Sequence, residues 1–387
     1  MSFKSTIEFI KSIYPNKGFI PLHEPKFIGN EKKYVLETIE STFVSSVGEY
    51  VNKFEQEIAS ITGAKYAVAI VNGTSALHLA LKCAGVQNND LVITQSLSFI
   101  ATTNAISYLG AAPIFIDVDL QTMGLCPIAL KEWLLTETVQ KINNESGKIE
   151  CIHIGSQKRI SAVVPMHTFG HPCVVDGLES ICEEYQIPLI EDAAESIGSQ
   201  YKNKHTGTFG LAGVFSFNGN KTITCGGGGA IVTNNEVFAK LAKHLSTQAK
   251  LPHVWEFNHD MVGYNYRMPN INAALACAQL EQLNAFIDNK RELALMYSDF
   301  FEKIEGIVYK SEPINSKSNY WLHTIQLKDK EQRDLFLAET NENGVMTRPT
   351  WTPTHLLPMY KDAICGDLKN TSFLAERLVN ISSSVRA

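Results

Sequence analysis

Between about residue 60 and about residue 235 the chain repeats one unit: a short apolar run, a break at small or polar residues, then a helical stretch. The runs are Tyr66-Ala-Val-Ala-Ile-Val71, Leu91-Val-Ile93, Pro113-Ile-Phe-Ile-Asp-Val118, Ala162-Val-Val-Pro-Met166, Leu189-Ile190, Val214-Phe-Ser-Phe217 and Ala230-Ile-Val232. They do not alternate apolar with polar, so each strand must be covered on both faces, and the intervening helices supply the cover. This predicts an α/β fold with a mostly parallel central sheet flanked by helices. Such sheets bind ligands at the C-terminal ends of their strands. Thr74, Ser75, Phe99, Asp192 and Ser216 all fall at or just past predicted strand ends.

The 387 residues leave room for a second core. We place an N-terminal segment and the large α/β domain in residues 1–250, and a smaller α+β domain in residues 251–387. From Pro269 onward, Ile271, Ala274, Leu275, Ala278, Leu280, Leu283 and Ile287 recur at helical spacing and predict one long helix. A strand near Trp321 to Leu327 and a helix near Gln332 to Asn343 follow. The polar stretch Thr136 to Arg159, with Asn143 to Gly147, predicts a surface excursion compatible with a hairpin. Phe3, Ile7, Ile10 and Tyr14 mark one face of a short N-terminal amphipathic helix.

Composition removes several function classes. The net charge is -6 and there is no long basic run, so nucleic acid is not expected as a partner. No stretch approaches the length of a membrane span, and charges interrupt the N-terminal apolar residues where a signal peptide would need a continuous core. The eight cysteines are scattered without a Cys-x-x-Cys, which reads as reduced cytosolic thiols and no metal site. A cytoplasmic location is the expectation.

The chemistry is carried by Lys221. It sits in Ser216-Phe-Asn-Gly-Asn-Lys221, just ahead of the glycine run Gly226 to Gly229. A lysine in a polar loop is usually solvated, but an apolar strand some thirty residues earlier ends in Glu191-Asp192. A lysine able to form a Schiff base, and a strand-end carboxylate able to partner a pyridine nitrogen, are what pyridoxal phosphate requires. The turn and the glycines suit close approach of a cofactor. Asp192 could alternatively cap a helix, and Glu195 could complete the capping box. Gly73-Thr74-Ser75 joins a strand to a helix start and offers backbone N–H groups and hydroxyls to a phosphate. Phe99 could stack on a cofactor ring or belong to the core. Asn220-Lys221-Thr222 also looks like the end of a nucleotide-binding loop, but Asn220 stands where glycine is required and the earlier spacing fails. His167 and His171 have a metal-like spacing, yet Gly170 and Pro172 make the segment a loop without a carboxylate, so no metal is expected.

These residues resemble the DegT/StrS group of sugar aminotransferases, fold-type-I pyridoxal phosphate enzymes, along nearly the whole chain. The resemblance rests on Asn72-Gly-Thr-Ser-Ala-Leu-His-Leu-Ala-Leu81, Glu191-Asp-Ala-Ala-Glu-Ser196, the lysine loop and Gly263-Tyr-Asn-Tyr-Arg-Met268. Phe43-Val-Ser-Ser-Val-Gly48, His167-Thr-Phe-Gly-His-Pro172 and Arg348-Pro-Thr-Trp351, with His355 and Leu357-Pro-Met-Tyr360, look most like the bacillosamine and legionaminic acid pathway enzymes. The resemblance implies that Lys221 bonds the cofactor and moves the proton, and that Asp192 pairs with the pyridine nitrogen. Gly73, Thr74, Ser75 and Ser216 would hold the phosphate, with Phe99 on the ring and Glu195 near its hydroxyl. Asn265 would reach the phosphate of a neighbouring subunit in a homodimer. Val44, Ser45, Ser46, Arg348, Trp351 and His355 are the implied substrate contacts. The implied reaction moves an amino group from L-glutamate to C4 of a nucleotide-linked 4-keto-6-deoxy sugar. UDP-2-acetamido-4-keto-2,6-dideoxyhexose comes first, with dTDP- or GDP-linked sugars as alternatives. A dehydratase of the same fold is disfavoured because Lys221 is retained and the cysteines lack cluster spacing. A non-catalytic binding protein is disfavoured by the joint retention of Lys221, Asp192 and Asn265.

Overall fold

The computed structural model describes residues 3–15, 17–144 and 147–386. Seven strands build the central sheet: β1 (Tyr66–Ile70), β2 (Leu91–Gln95), β3 (Ala112–Ile116), β4 (Arg159–Val164), β5 (Ile190–Asp192), β6 (Ala212–Ser216) and β7 (Gly229–Thr233). Their order is β1-β7-β6-β5-β4-β2-β3, with β4 and β5 joined by the parallel bridges Val163–Leu189 and Met166–Asp192. Pairs β2/β3, β2/β4 and β5/β6 are parallel. Only β7 runs against its neighbours, β1 and β6. Every residue of β2, β6 and β7 is buried, as continuous apolar runs require.

One face is filled by Leu77, Leu81, Ile106 and Leu245 from the covering helices, the other by Phe54, Ile58, Phe215 and Phe217. Thr138–Ile142 and Ile149–His153 form the expected antiparallel hairpin beside β4, while its Glu145 and Ser146 lie outside the described residues.

The single helix expected from Pro269 is two: Asn270–Leu280 and Leu283–Phe301, separated at Glu281-Gln282. The reason is packing. Ala273, Ala276 and Cys277 of the first helix, with Phe286 and Ile287 of the second, enter the core beside the central sheet. Leu293, Tyr297 and Phe301 enter a different core in the C-terminal part. The break lets one apolar pattern serve two cores. The second core also takes in Phe3, Ile7, Ile10 and Tyr14, so the N-terminal helix packs against the C-terminal part of the chain. Each such side chain contributes roughly 1.5–3 kcal/mol when fully buried. Beside it lies an antiparallel sheet in the order Ile307–Tyr309, His323–Leu327, Leu378–Ile381, Arg348–Pro349. The position expected for the domain division, near residue 250, lies at the start of an exposed segment. Among the described residues no helix is long and apolar enough to cross a membrane.

Candidate active site

β6 ends at Ser216, and the next twelve or so residues form a loop closed on itself. Phe217 N–H donates to the Gly228 carbonyl at 2.9 Å, and Cys225 N–H to the Phe217 carbonyl at 3.0 Å. Lys221 sits at the tip, its N–H bonded to the Asn218 carbonyl at 3.0 Å. Its side chain turns inward and is 11% exposed. Nζ lies 3.3 Å from Glu195 Oε1 and 3.9 Å from the centroid of the Trp321 ring. Two of the glycines after it serve the fold instead of making room for a ligand. A Cβ on Gly228 would meet Cys225 Sγ at 2.4 Å, and one on Gly229 would meet the Asn72 carbonyl at 2.6 Å.

Lys221 opens onto a cavity of about 300 Å³ whose walls include Gly73, Thr74, Phe99, Asp192, Glu195 and Ser216. The turn after β1 is set by Asn72, whose Oδ1 accepts Ser75 N–H at 2.8 Å and caps the Gly73–Cys83 helix. The helix N-terminus, with its unpaired N–H groups, therefore points at the cavity. A Cβ on Gly73 would stand 2.8 Å from Ser216 Cβ, so glycine is what lets the two strand ends close into a cradle. Thr74 lines the cavity and Ser75 lies just behind it as the capped residue.

Asp192 is buried at the end of β5. Its Oδ2 accepts the Thr102 hydroxyl at 2.6 Å, and its Oδ1 accepts Ala194 N–H at 3.1 Å. A turn follows it, so the helix-cap reading of Asp192 and Glu195 fails. Burial pushes the Asp192 carboxyl up, against the Thr102 and Ala194 hydrogen bonds. Burial also pushes Glu195 up, to about 7, although Lys221 and Phe169 N–H favour its charged form. The neighbouring Glu191 has a different role. Burial raises it, but hydrogen bonds from His167 and from Gly210 and Gly207 N–H outweigh this and hold it below the ordinary carboxylate range. His167 Nδ1 accepts Cys173 N–H, so the ring braces Glu191 and is committed to the fold.

Phe99 is 47% exposed at the cavity mouth and is not core. Trp351 shares the cavity, its ring 6.3 Å from that of Phe99. Other expected residues are not brought to Lys221. Val44, Ser45 and Ser46 lie on the Asn270–Leu280 helix, where the Ser45 carbonyl accepts Asn270 N–H at 2.6 Å. Arg348 is exposed and bonded to Asn341 and the Thr347 carbonyl. His355 Nδ1 pairs with Ser96 Oγ at 2.6 Å and does not line the cavity. Asn265 is exposed and pairs with Thr247 outside the cavity. Conversely, Trp321, Thr102 and Asn319 join the site without having been expected. Thr102 is one of two adjacent threonines on the Ile100–Tyr108 helix, and nothing in its local pattern marks it.

Residues 25–386 match the DegT/DnrJ/EryC1/StrS aminotransferase family. The chain belongs to this family. It is 38% identical over 344 residues to the GDP-perosamine synthase of Escherichia coli O157:H7, covering 89% of this chain and 88% of that protein. It is 36% identical over 359 residues to EpsN of Bacillus subtilis (strain 168), whose name describes a pyridoxal phosphate-dependent aminotransferase; 93% of this chain and 88% of EpsN are covered. Among solved structures, the aminotransferase TlmJ of Streptoalloteichus hindustanus superposes with a TM-score of 0.84 at 26% identity, over 95% of this chain and 94% of that one. As a DegT-family member the chain is a pyridoxal phosphate-dependent sugar aminotransferase of fold type I.

Proposed function

We propose that this chain transfers an amino group from L-glutamate to C4 of a nucleotide-linked 4-keto-6-deoxy sugar, with a GDP-linked sugar as the first candidate. The observation that carries the reading is a single cavity joining Lys221, buried Asp192 and the Gly73–Ser216 cradle. The GDP preference is supported by the relative named GDP-perosamine synthase, a likeness spread over 344 residues. The UDP-2-acetamido reading rests on short motifs alone and becomes the second arm of the test.

The residues fit pyridoxal phosphate. Thr74, Ser216 and the N-terminus of the Gly73–Cys83 helix would hold the phosphate, with Ser75 beside them. Asp192 would face the pyridine nitrogen, Phe99 the ring and Glu195 the hydroxyl side. Bound there, the cofactor supplies a covalent site for the migrating amino group and an electron sink. Lys221 Nζ would bond the cofactor and, when released, carry the proton to and from the reacting carbon. Asp192, with its partner Thr102, would keep the pyridine nitrogen protonated.

In this reading a second copy of the chain completes the site. Asn265 and the loop at Val44, Ser45 and Ser46 lie away from their own Lys221. Nearby, Val254, Trp255, Phe257 and Val262 are 75–89% exposed, more apolar surface than a monomer ordinarily leaves in one short segment. We read this as the dimer face through which Asn265 reaches the neighbouring subunit's phosphate site. Arg348, Trp351 and His355 remain the proposed sugar-side residues, with Trp351 the one already lining the cavity. The reading places the enzyme in the cytoplasm with its nucleotide-sugar substrate.

The test is an assay with pyridoxal phosphate and L-glutamate, offering GDP-, dTDP- and UDP-linked 4-keto-6-deoxy sugars in parallel. Products are read by mass and by NMR at C4. Amination of the GDP sugar supports the proposal, amination of only the UDP-2-acetamido sugar moves it to the motif-based reading, and no amination of any refutes it.

A further inference from the structure

Trp321 makes two contacts with the lysine loop at once. Its Nε1–H donates to the Asn220 carbonyl at 2.6 Å, and its ring face lies 3.9 Å from Lys221 Nζ. Glu195 Oε1 lies 3.3 Å from the same amine. A cationic amine is attracted to an indole face and to a carboxylate, so the two groups together form a seat for a free Lys221 side chain.

The seat is held from outside the cavity. Trp321 N–H donates to Asn319 Oδ1 at 2.8 Å, and its carbonyl accepts Lys290 Nζ at 3.2 Å. Lys290 is fully buried and also reaches the Tyr320 and Ser383 carbonyls. Asn319 Nδ2 donates to the Glu195 and Ile197 backbone carbonyls, both at 2.9 Å, so one side chain ties the backbone of Trp321 to the backbone of Glu195. The residue between them, Tyr320, has φ of 47°, a left-handed conformation rare for a bulky side chain. Such strain persists where surrounding contacts over-determine the backbone. Opposite it, Gly170 has φ of 94°, and a Cβ there would fall 2.0 Å from Asn319 Oδ1.

A lysine that bonds, leaves and rebonds one carbon must stay within reach while free, although its four-carbon stem is flexible. We propose that Trp321 is a positioning residue for Lys221. It seats the free amine beside Glu195 and pins the lysine loop at Asn220, and Asn319 and Lys290 fix it in place. This rests on the reading of Lys221 as the catalytic lysine.

The experiment uses cofactor-free protein, so its outcome is independent of which sugar is aminated. In the wild-type chain, NMR of selectively labelled lysines should place the Lys221 ε-methylene well upfield of the other lysines, through the indole ring current. The signal is assigned by its loss in Lys221→Ala. In Trp321→Leu, acylation of Lys221 by an amine-directed reagent, read by peptide mass spectrometry, should rise several-fold relative to surface lysines. Trp321→Phe keeps a ring face and should restore protection. With cofactor restored, Trp321→Leu should lower kcat about tenfold or more while KM for glutamate stays within about twofold. A Lys221 methylene among the ordinary lysines, or unchanged acylation in a folded Trp321→Leu variant, overturns the proposal.

Discussion

Replacing Glu195 by glutamine should change how stability depends on pH, in a direction the burial of Glu195 dictates. Its carboxyl titrates near 7 in the folded chain, against an ordinary value of 4.5, because burial disfavours the charged form more than Lys221 and Phe169 N–H favour it. Below about pH 4.5 both folded and unfolded chains hold the proton, and the position contributes no slope. Between that value and about 7 the folded chain binds the extra proton. Stability therefore falls as pH rises through the window, and the full penalty is present above it. At about 1.4 kcal/mol per pH unit, the penalty is about 3 kcal/mol. The variant keeps an oxygen for Phe169 N–H and has no charge to bury. The assay is urea unfolding of cofactor-free wild type and Glu195→Gln between about pH 5 and about pH 8, where wild-type stability minus variant stability should drop by roughly 2–3 kcal/mol. A flat difference would refute the reasoning. A difference that grows with pH would show that the Lys221–Glu195 ion pair outweighs burial.

Gly73→Ala should weaken cofactor binding by about 1–3 kcal/mol, since its Cβ would be driven into Ser216 at 2.8 Å; a titration followed by visible absorbance checks this, and unchanged affinity would contradict the cradle. Thr102→Val should destabilise the cofactor-free protein by about 1–3 kcal/mol at neutral pH, because it strips a buried Asp192 oxygen of its 2.6 Å donor; chemical denaturation reads the loss. Trp255→Ser combined with Val254→Ser should shift the proposed dimer to monomer in light scattering without lowering the melting temperature of the monomer, since both side chains are at least 75% exposed in the single chain.

Much of the scaffold was legible because it is local. Asn72 caps its helix through a side chain three residues from its donor, and Gly73-Thr74 follows at once. Asp192 announced itself by residue type at a strand end, and Lys221 by residue type in the loop that follows one. Other features left no local mark. β7 is as apolar as the parallel strands of the sheet, although it runs against both its neighbours, because burial on both faces imposes the same pattern whichever way a strand runs. The helix break at Glu281-Gln282 is invisible in a periodicity that continues across it.

The sequence by itself therefore determined the strand and helix alternation and the cofactor class, and it singled out the lysine and aspartate proposed to serve it. Those properties follow from hydrophobic period, turn chemistry and side-chain type, all readable within a few residues. Only the tertiary structure decided that Trp321 would face a lysine one hundred positions earlier, and that Thr102 would serve a carboxylate ninety positions later. It also set Val44 to Ser46 and Asn265 apart from the cavity of their own chain. Such contacts depend on the order in which strands assemble and on which cores compete for each helix, and no periodicity along the chain encodes that order.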